Sequence, residues 1–594
     1  MKRVFLALSF ALLSFAAGTA LAEDEVTPIV APPATTTQLR PTELQMQRAT
    51  ASPTSTLDLR NLPQTPPPQK FRAEREEPDV VPVELPGGGP ILATPSIAGR
   101  SAPAPLTSKN FAGLDFATFG AGHPPDTNGD VGPTYFIQSV NSSIGIYDKT
   151  TGTRVAGFSF NTFMSQGSFG NQCDSNNFGD PVVLYDSFED RWVITDFAFT
   201  LDGSGNVNPP VSFQCFAVSK TGDPVTGGWN FYSMAVTDAL NDYSKFAIWP
   251  DGIYMSANMF AFPAGGAFQN VRTWAFNKAQ MYAGAPTIQI VSFNAPPAEF
   301  TLLPANARLQ AGTPPLGAPN YFNTVWQFTN ALSVYKFHVD WNSISLSSFT
   351  GPFTSIAPAS WISPPSTVPT QAGNANDTLA IRLMMQNQYA NIAGAESIWA
   401  THTVRNSTTA AVSAVRYYQT AVTGGTVAAT TTQAANHEPD TINRYMPSLA
   451  VNRLGDMAIG YSASTAALFP AIRYAGRLAT DPVNTLPQTE TSLIEGTGSQ
   501  TGTCGGTCTR WGDYSTMTLD PNGCTFWYTN EYYATSGLNW QTRIGAFAFP
   551  TCTPLLNNGT LQGTVTVTPG GAPISGATVR LGSRTAITNG IGVY

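Results

Sequence analysis

The sequence predicts an all-β chain organised as a β-propeller, and two observations carry that expectation. The first is a recurring motif: a short apolar strand, a tight turn of Asp, Asn, Pro or Gly, and a second apolar or aromatic strand. Copies run from Asp180 to Thr195, Asp242 to Ser256, Pro447 to Ser462 and Asp513 to Thr529, with a degenerate copy from Asp126 to Asn141. Strand–turn–strand units spaced at about 60 residues are the pattern of a repeat fold whose units are blades. The second is the lack of an apolar 3.6-residue period sustained over three turns, which excludes long amphipathic helices.

Taken in order, seven units can be parsed between 108 and 552. The first contains Tyr135–Asn141, Ser143–Asp148 and Arg154–Phe160. The second contains Pro181–Tyr185, Trp192–Phe199, Phe213–Ser219 and Trp229–Val236. The third contains Ser244–Ile248, Ile253–Met259, Arg272–Asn277 and Thr287–Phe293. A weaker fourth holds Tyr321–Phe328 and Leu332–Trp341, and the fifth holds Leu379–Met385, Ser397–Val404 and Ala414–Val422. The sixth offers Ser448–Val451, Met457–Ser462 and Ile472–Leu478. The seventh offers Tyr514–Leu519, Thr525–Tyr533 and Gln541–Phe549. Seven blades is the leading count, with six longer blades as the alternative. The seventh unit shows three strands, and Phe111–Phe119 is placed to supply the fourth and close the ring, which removes an exposed sheet edge.

The flanks differ in composition. Residues 1–22 read as an export signal: Lys2 and Arg3, an apolar run from Val4 to Ala17, and the small-residue cleavage site Ala20-Leu21-Ala22. No later apolar run is long enough to span a membrane. Residues 23–107 are proline-rich, with Phe71 as their aromatic residue. They read as a disordered linker or pro-region, with one short helix around Phe71 to Glu77. The expected destination is secretion or the cell surface, where six cysteines favour disulfides. Proximity within repeats pairs Cys504 with Cys508, Cys524 with Cys552 and Cys173 with Cys215.

Residues 558–594 form a different module. The order Gly559-Thr-Leu-Gln-Gly-Thr-Val-Thr-Val567, Pro573-Ile-Ser-Gly-Ala577 and Thr588-Asn-Gly590 resembles the carboxypeptidase regulatory-like domain. That resemblance implies a prealbumin-like β-sandwich, of which only the first part is here, so a fragment of a longer product is expected. The segments Pro124 to Gly132, Arg510-Trp-Gly-Asp-Tyr514 and Cys524 to Tyr533 resemble a family of uncharacterised exported bacterial propeller proteins, a resemblance that implies no particular reaction.

Charged residues are 11% of the chain and the net charge is −8. No basic stripe is present to neutralise phosphates, so nucleic acid is not an expected partner. The aspartates that open the repeats, Asp126, Asp180, Asp242 and Asp513, with Asp377 as a further candidate, should gather at one mouth of the central channel. There they form either a cation or polar-ligand site or blade-to-blade hydrogen bonds. Asp126, Asn128 and Asp130 also present oxygens at alternate positions, which suits calcium, although an Asx-rich turn gives the same pattern. A sialidase-like glycosidase needs an arginine clamp, for which Arg191, Arg382, Arg444, Arg473, Arg510 and Arg543 are available, but its Ser-x-Asp-x-Gly-x-Thr-Trp box is absent. Four histidines, His123, His338, His402 and His437, give no zinc or triad signature. Trp192, Trp229, Trp249, Trp274, Trp527, Tyr532, Tyr533 and Trp540 belong mostly to blade cores. No catalytic residue is assigned. The leading function is non-catalytic binding of an extracellular glycan or partner protein, and the alternative is a secreted glycoside hydrolase or lyase acting at the channel mouth.

Overall fold

The computed structural model describes residues 39–49, 58–69 and 102–593, except 263–265, 326–329, 505, 556–562, 569, 582–583 and 592. The export signal and the helix expected around Phe71 lie outside the described residues.

Seven antiparallel four-stranded meanders follow one another along the chain. Their inner strands are Asn128–Val131, Asn177–Asp186, Leu240–Trp249, Leu303–Asn306, Met384–Ile392, Asn443–Val451 and Thr516–Leu519, and each neighbours the next around a closed ring. This is a seven-bladed β-propeller. The outermost strand of the seventh blade is Lys109–Asp115, paired antiparallel with Gln541–Ala548 so that Lys109 faces Ala546 and Asp115 faces Gln541. The N-terminal segment thus closes the ring, as the sequence leads one to expect. It then turns into a short helix, Phe116–Phe119, whose first turn is capped by the Asp115 carboxylate accepting from the Thr118 amide.

The cores lie between blades, where facing sheets interdigitate large side chains. Trp192, Trp249, Trp274, Trp511 and Trp540 are all fully buried. Trp249 of the third blade, for instance, meets Tyr389 of the fifth edge-to-face at 4.9 Å. All six cysteines are bridged in the expected pairs, Cys173–Cys215, Cys504–Cys508 and Cys524–Cys552. Three disulfides fit an oxidising compartment. Among the described residues no helix is long and apolar enough to cross a membrane.

Three expectations need correction. Thr42–Arg48, inside the segment read as a linker, is a strand. It lies antiparallel between Trp229–Val236 and Thr287–Asn294, joining the second and third blades into one nine-stranded sheet. It buries Met46, while Gln45 and Gln47 on either side remain exposed. The fifth inner strand begins at Met384 rather than Leu379, because Leu379 and Ile381 hold φ of 44° and 67°, incompatible with an extended strand. Asn128–Val131, read as a turn, is the first blade's inner strand and is buried throughout. In the C-terminal region Thr578–Leu581 pairs with Arg584–Ile587 as a hairpin, with isolated bridges from Thr564 to Val593 and from Thr566 to Pro573.

Candidate functional site at the channel mouth

The inner strands run in one direction, so their N-terminal ends share one face of the ring. Several enter through a left-handed residue: φ is 50° at Asp126, 48° at Asp180, 55° at Tyr243 and 50° at Met446. Register shifts follow between Gly179 and Val182, Asp242 and Lys245, and Tyr445 and Ser448. Aspartate tolerates this conformation better than most residues, which suits Asp126 and Asp180; at the third entry the left-handed residue is Tyr243, beside Asp242. The bulge also leaves backbone amides unpaired within their own sheet, and side chains of adjacent blades take them up. The Asp513 amide donates to Asp126 Oδ1 (2.8 Å) and the Tyr243 amide to Asp180 Oδ2 (2.8 Å). Asn141 accepts from the Asp180 amide (2.9 Å) and donates to Asp126 Oδ2 (2.6 Å). A chain of bonds therefore joins the seventh, first, second and third blades.

Those same residues line a cavity of about 120 Å³. Asp126, Asp180, Asp242 and Asp513 all border it, with Arg510, Asn141, Asn258, His123 and the rings of Phe178, Phe197, Phe260 and Tyr243. The repeated aspartates, far apart in sequence, do converge. Arg510 donates to Asp513 Oδ1 at 2.6 Å and approaches Asp377 at 3.8 Å. Below the mouth the channel is plugged by side chains that cross it. Asn128 reaches the Met385 sulfur (3.4 Å), and Gln386 donates to the Met517 carbonyl (2.7 Å). Farther down, Arg308 of the fourth blade donates to Asp130 of the first at 2.6 Å. The site is thus a cup open at one end.

Burial controls its electrostatics. It pushes the Asp126 carboxyl well above the usual carboxylate range, aided by the like charges of Asp513 and Asp180 and opposed by Arg510 and the Asp513 amide. Beneath the cup Lys245 is 1% exposed, its ammonium 3.3 Å from the Tyr243 ring centre and 4.2 Å from that of Tyr514. Burial lowers its pKa to about 8, while Asp180, Asp513, Asp126 and Asp242 hold the proton on. His123 is lowered by burial, and its Nε2 lies 2.5 Å from the Leu538 carbonyl, which fixes that nitrogen as the protonated one.

The structure does not bring Asp126, Asn128 and Asp130 together as a metal set. Asp126 stands outside the strand with φ of 50°, and each of the three spends its oxygens elsewhere, Asp126 on the Asp513 amide and Asn141. Asn128 Oδ1 accepts from the Val183 amide, while Asp130 accepts from the Tyr185 amide, Arg308 and Thr518. Nor do the six arginines form a clamp. Arg510 lines the cavity and Arg382 stacks on Tyr243 (4.8 Å), but Arg444 binds Asp440 and Glu490, Arg473 binds Glu495, Arg543 binds Asn110, and Arg191 binds the Glu189 and Asp190 carbonyls. Asp377 sits behind Arg510 rather than among the lining residues. Most of the aromatic candidates are blade core, as expected. Sequence reasoning missed Lys245, Asn141 and the phenylalanine wall; a lysine inside an apolar strand (Asp242-Tyr-Ser-Lys-Phe-Ala-Ile-Trp249) was the available signal.

No family model matches the sequence, including its C-terminal module, and a search of curated proteins returns no match. Among solved structures, the chain is similar to a Hadza microbial sialidase at 12% identity and a TM-score of 0.31, covering 70% of this chain and 74% of that one. Extracellular domains 1–2 of Drosophila semaphorin 1b give 8% identity and a TM-score of 0.32, covering 75% and 87%. The WD40 domain of SCAP from fission yeast gives 8% and 0.29, covering 71% and 85%.

Proposed function

We propose that this chain is an exported, non-catalytic propeller that binds a polar group of an extracellular glycan in the cup at its channel mouth. The observation that carries this reading is the convergence of four aspartates, an arginine and four aromatic rings on one cavity above a plugged channel. Carboxylates and amides hydrogen-bond hydroxyls, and ring faces pack on the apolar faces of sugars. Against turnover, Asp126, the carboxyl most suited by its raised pKa to act as a general acid, already accepts two hydrogen bonds and is 2% exposed. Asp513 is held by Arg510, and no arginine clamp is assembled.

Full-length protein on a glycan array, with a parallel assay for released sugar, tests the proposal. Retention of a glycan without release is expected, and Phe178→Ala on the rim should weaken it at least tenfold. Sugar release that disappears in Asp242→Asn would establish the hydrolase alternative instead.

A further inference from the structure

The walls of the cup also bear on the charge of its ligand, granted the reading of the mouth as a glycan site. Calcium is poorly served there. It requires six to eight oxygens, yet Asp126 already gives both oxygens to donors, the Asp513 amide and Asn141, while Asp180 and Asp242 each give one to the Tyr243 amide and Asp513 one to Arg510. No group of three or more His, Cys, Asp or Glu among the described residues has metal-holding geometry. Four aromatic rings, Phe178, Phe197, Phe260 and Tyr243, stand among the lining residues, and ring faces attract organic cations.

A further observation points the same way. Immediately beneath the cup the protein already holds an ammonium by this chemistry. Lys245 Nζ lies over the rings of Tyr243 and Tyr514, 3.4 and 3.3 Å from the carbonyls of Tyr243 and Ser244, in the field of the same four aspartates.

We propose that the cup binds the protonated amine of an amino-sugar residue in a polysaccharide. The remaining lining favours a sugar over a lysine side chain. Arg510 has only N–H groups to offer, which suit hydroxyl oxygens and not an ammonium, while Asn141 and Asn258 offer both donors and acceptors. A hexosamine presents an ammonium, hydroxyls and an apolar ring face together, whereas a lysine tip presents N–H and methylene alone.

The test is calorimetric titration of the full-length protein at about pH 6, where the amine is charged, with a β-linked glucosamine hexamer, its fully N-acetylated counterpart, a lysine hexapeptide and calcium chloride. The glucosamine oligomer should bind at least tenfold tighter than the acetylated one. Asp242→Asn and Phe178→Ala should each lose most of that affinity, and calcium should not compete. Equal affinity for the two oligomers, with Phe178→Ala weakening both, overturns the amine while leaving the glycan reading standing. Tighter binding of the lysine peptide overturns it in favour of a protein partner, competition by calcium overturns it in favour of a metal site, and no binding by any probe overturns both readings.

Discussion

Glu531 shows how much a single buried carboxyl contributes to the behaviour of the mouth. It is 1% exposed and accepts a hydrogen bond from the Gly512 amide, and its Oε2 has no partner among the described residues. Burial pushes its pKa well above the usual range; the Gly512 bond opposes this, and the charges of Asp377 and Asp513 add to it. A folded-state pKa above the unfolded one means that the native state binds the extra proton. The associated stability is present below the unfolded pKa and is lost as pH rises towards the folded value. Glu531→Gln should therefore flatten the fall of Tm as pH rises above the unfolded carboxyl pKa of about 4.3, and raise Tm at the alkaline end. Superimposable Tm–pH curves for the two proteins would show that this carboxyl ionises as freely in the native state as in the unfolded chain. Nothing in the sequence singles out Glu531, which reads as an ordinary member of an aromatic strand, because its character comes from its burial in the folded chain, which the Gly512 amide nineteen residues away only partly offsets.

At the level of elements, legibility followed side-chain chemistry. Strands with aromatic and β-branched runs, such as Trp229–Val236 or Thr525–Tyr532, announce themselves. Inner strands such as Asn128–Val131 do not, because their polar side chains serve adjacent blades and mimic turns. Asn128 caps the Val183 amide, Asn306 the Ile248 amide and Gln388 the Val451 amide. The convergence of the aspartates was legible because their register within the repeat is itself periodic; the aromatic wall was not, because it depends on loop paths. Cysteine spacing was legible too, and it bears on stability. Cys524 immediately precedes the second strand of the last blade, and Cys552 follows the third, so the bridge pins the hairpin Thr525–Tyr532 and Gln541–Ala548 at its base. Replacing both cysteines with serine should cost about 2–5 kcal/mol. Chemical denaturation monitored by tryptophan fluorescence would register it, and a midpoint within error of the parent's would mean that the hairpin is held without the bridge.

For the whole molecule, the decisive contact joins the two ends of the ring. Lys109–Asp115 pairs with Gln541–Ala548, and behind it Gln138 of the first blade donates to Thr529 and Thr542 of the last. A ring closed this way has no exposed inner edge, and the buried Arg308–Asp130 pair ties the fourth blade to the first across the plugged channel. The earlier strand, Thr42–Arg48, does something different: it cements the outer strands of the second and third blades without taking part in closure. The two N-terminal strands are therefore separable by truncation. Removing the chain through residue 57 should leave a closed ring that still unfolds in one step, with Tm lowered because Met46 no longer covers the seam between two blades. Removing it through residue 115 should expose the edge of Gln541–Ala548 along its length, and the product should aggregate or unfold over a broad range on heating. Light scattering and calorimetry distinguish the two truncations. If the longer deletion stayed monomeric with the Tm of the shorter one, closure by the N-terminal strand would contribute nothing, and the stability of the ring would have to come from the blade-to-blade cores alone.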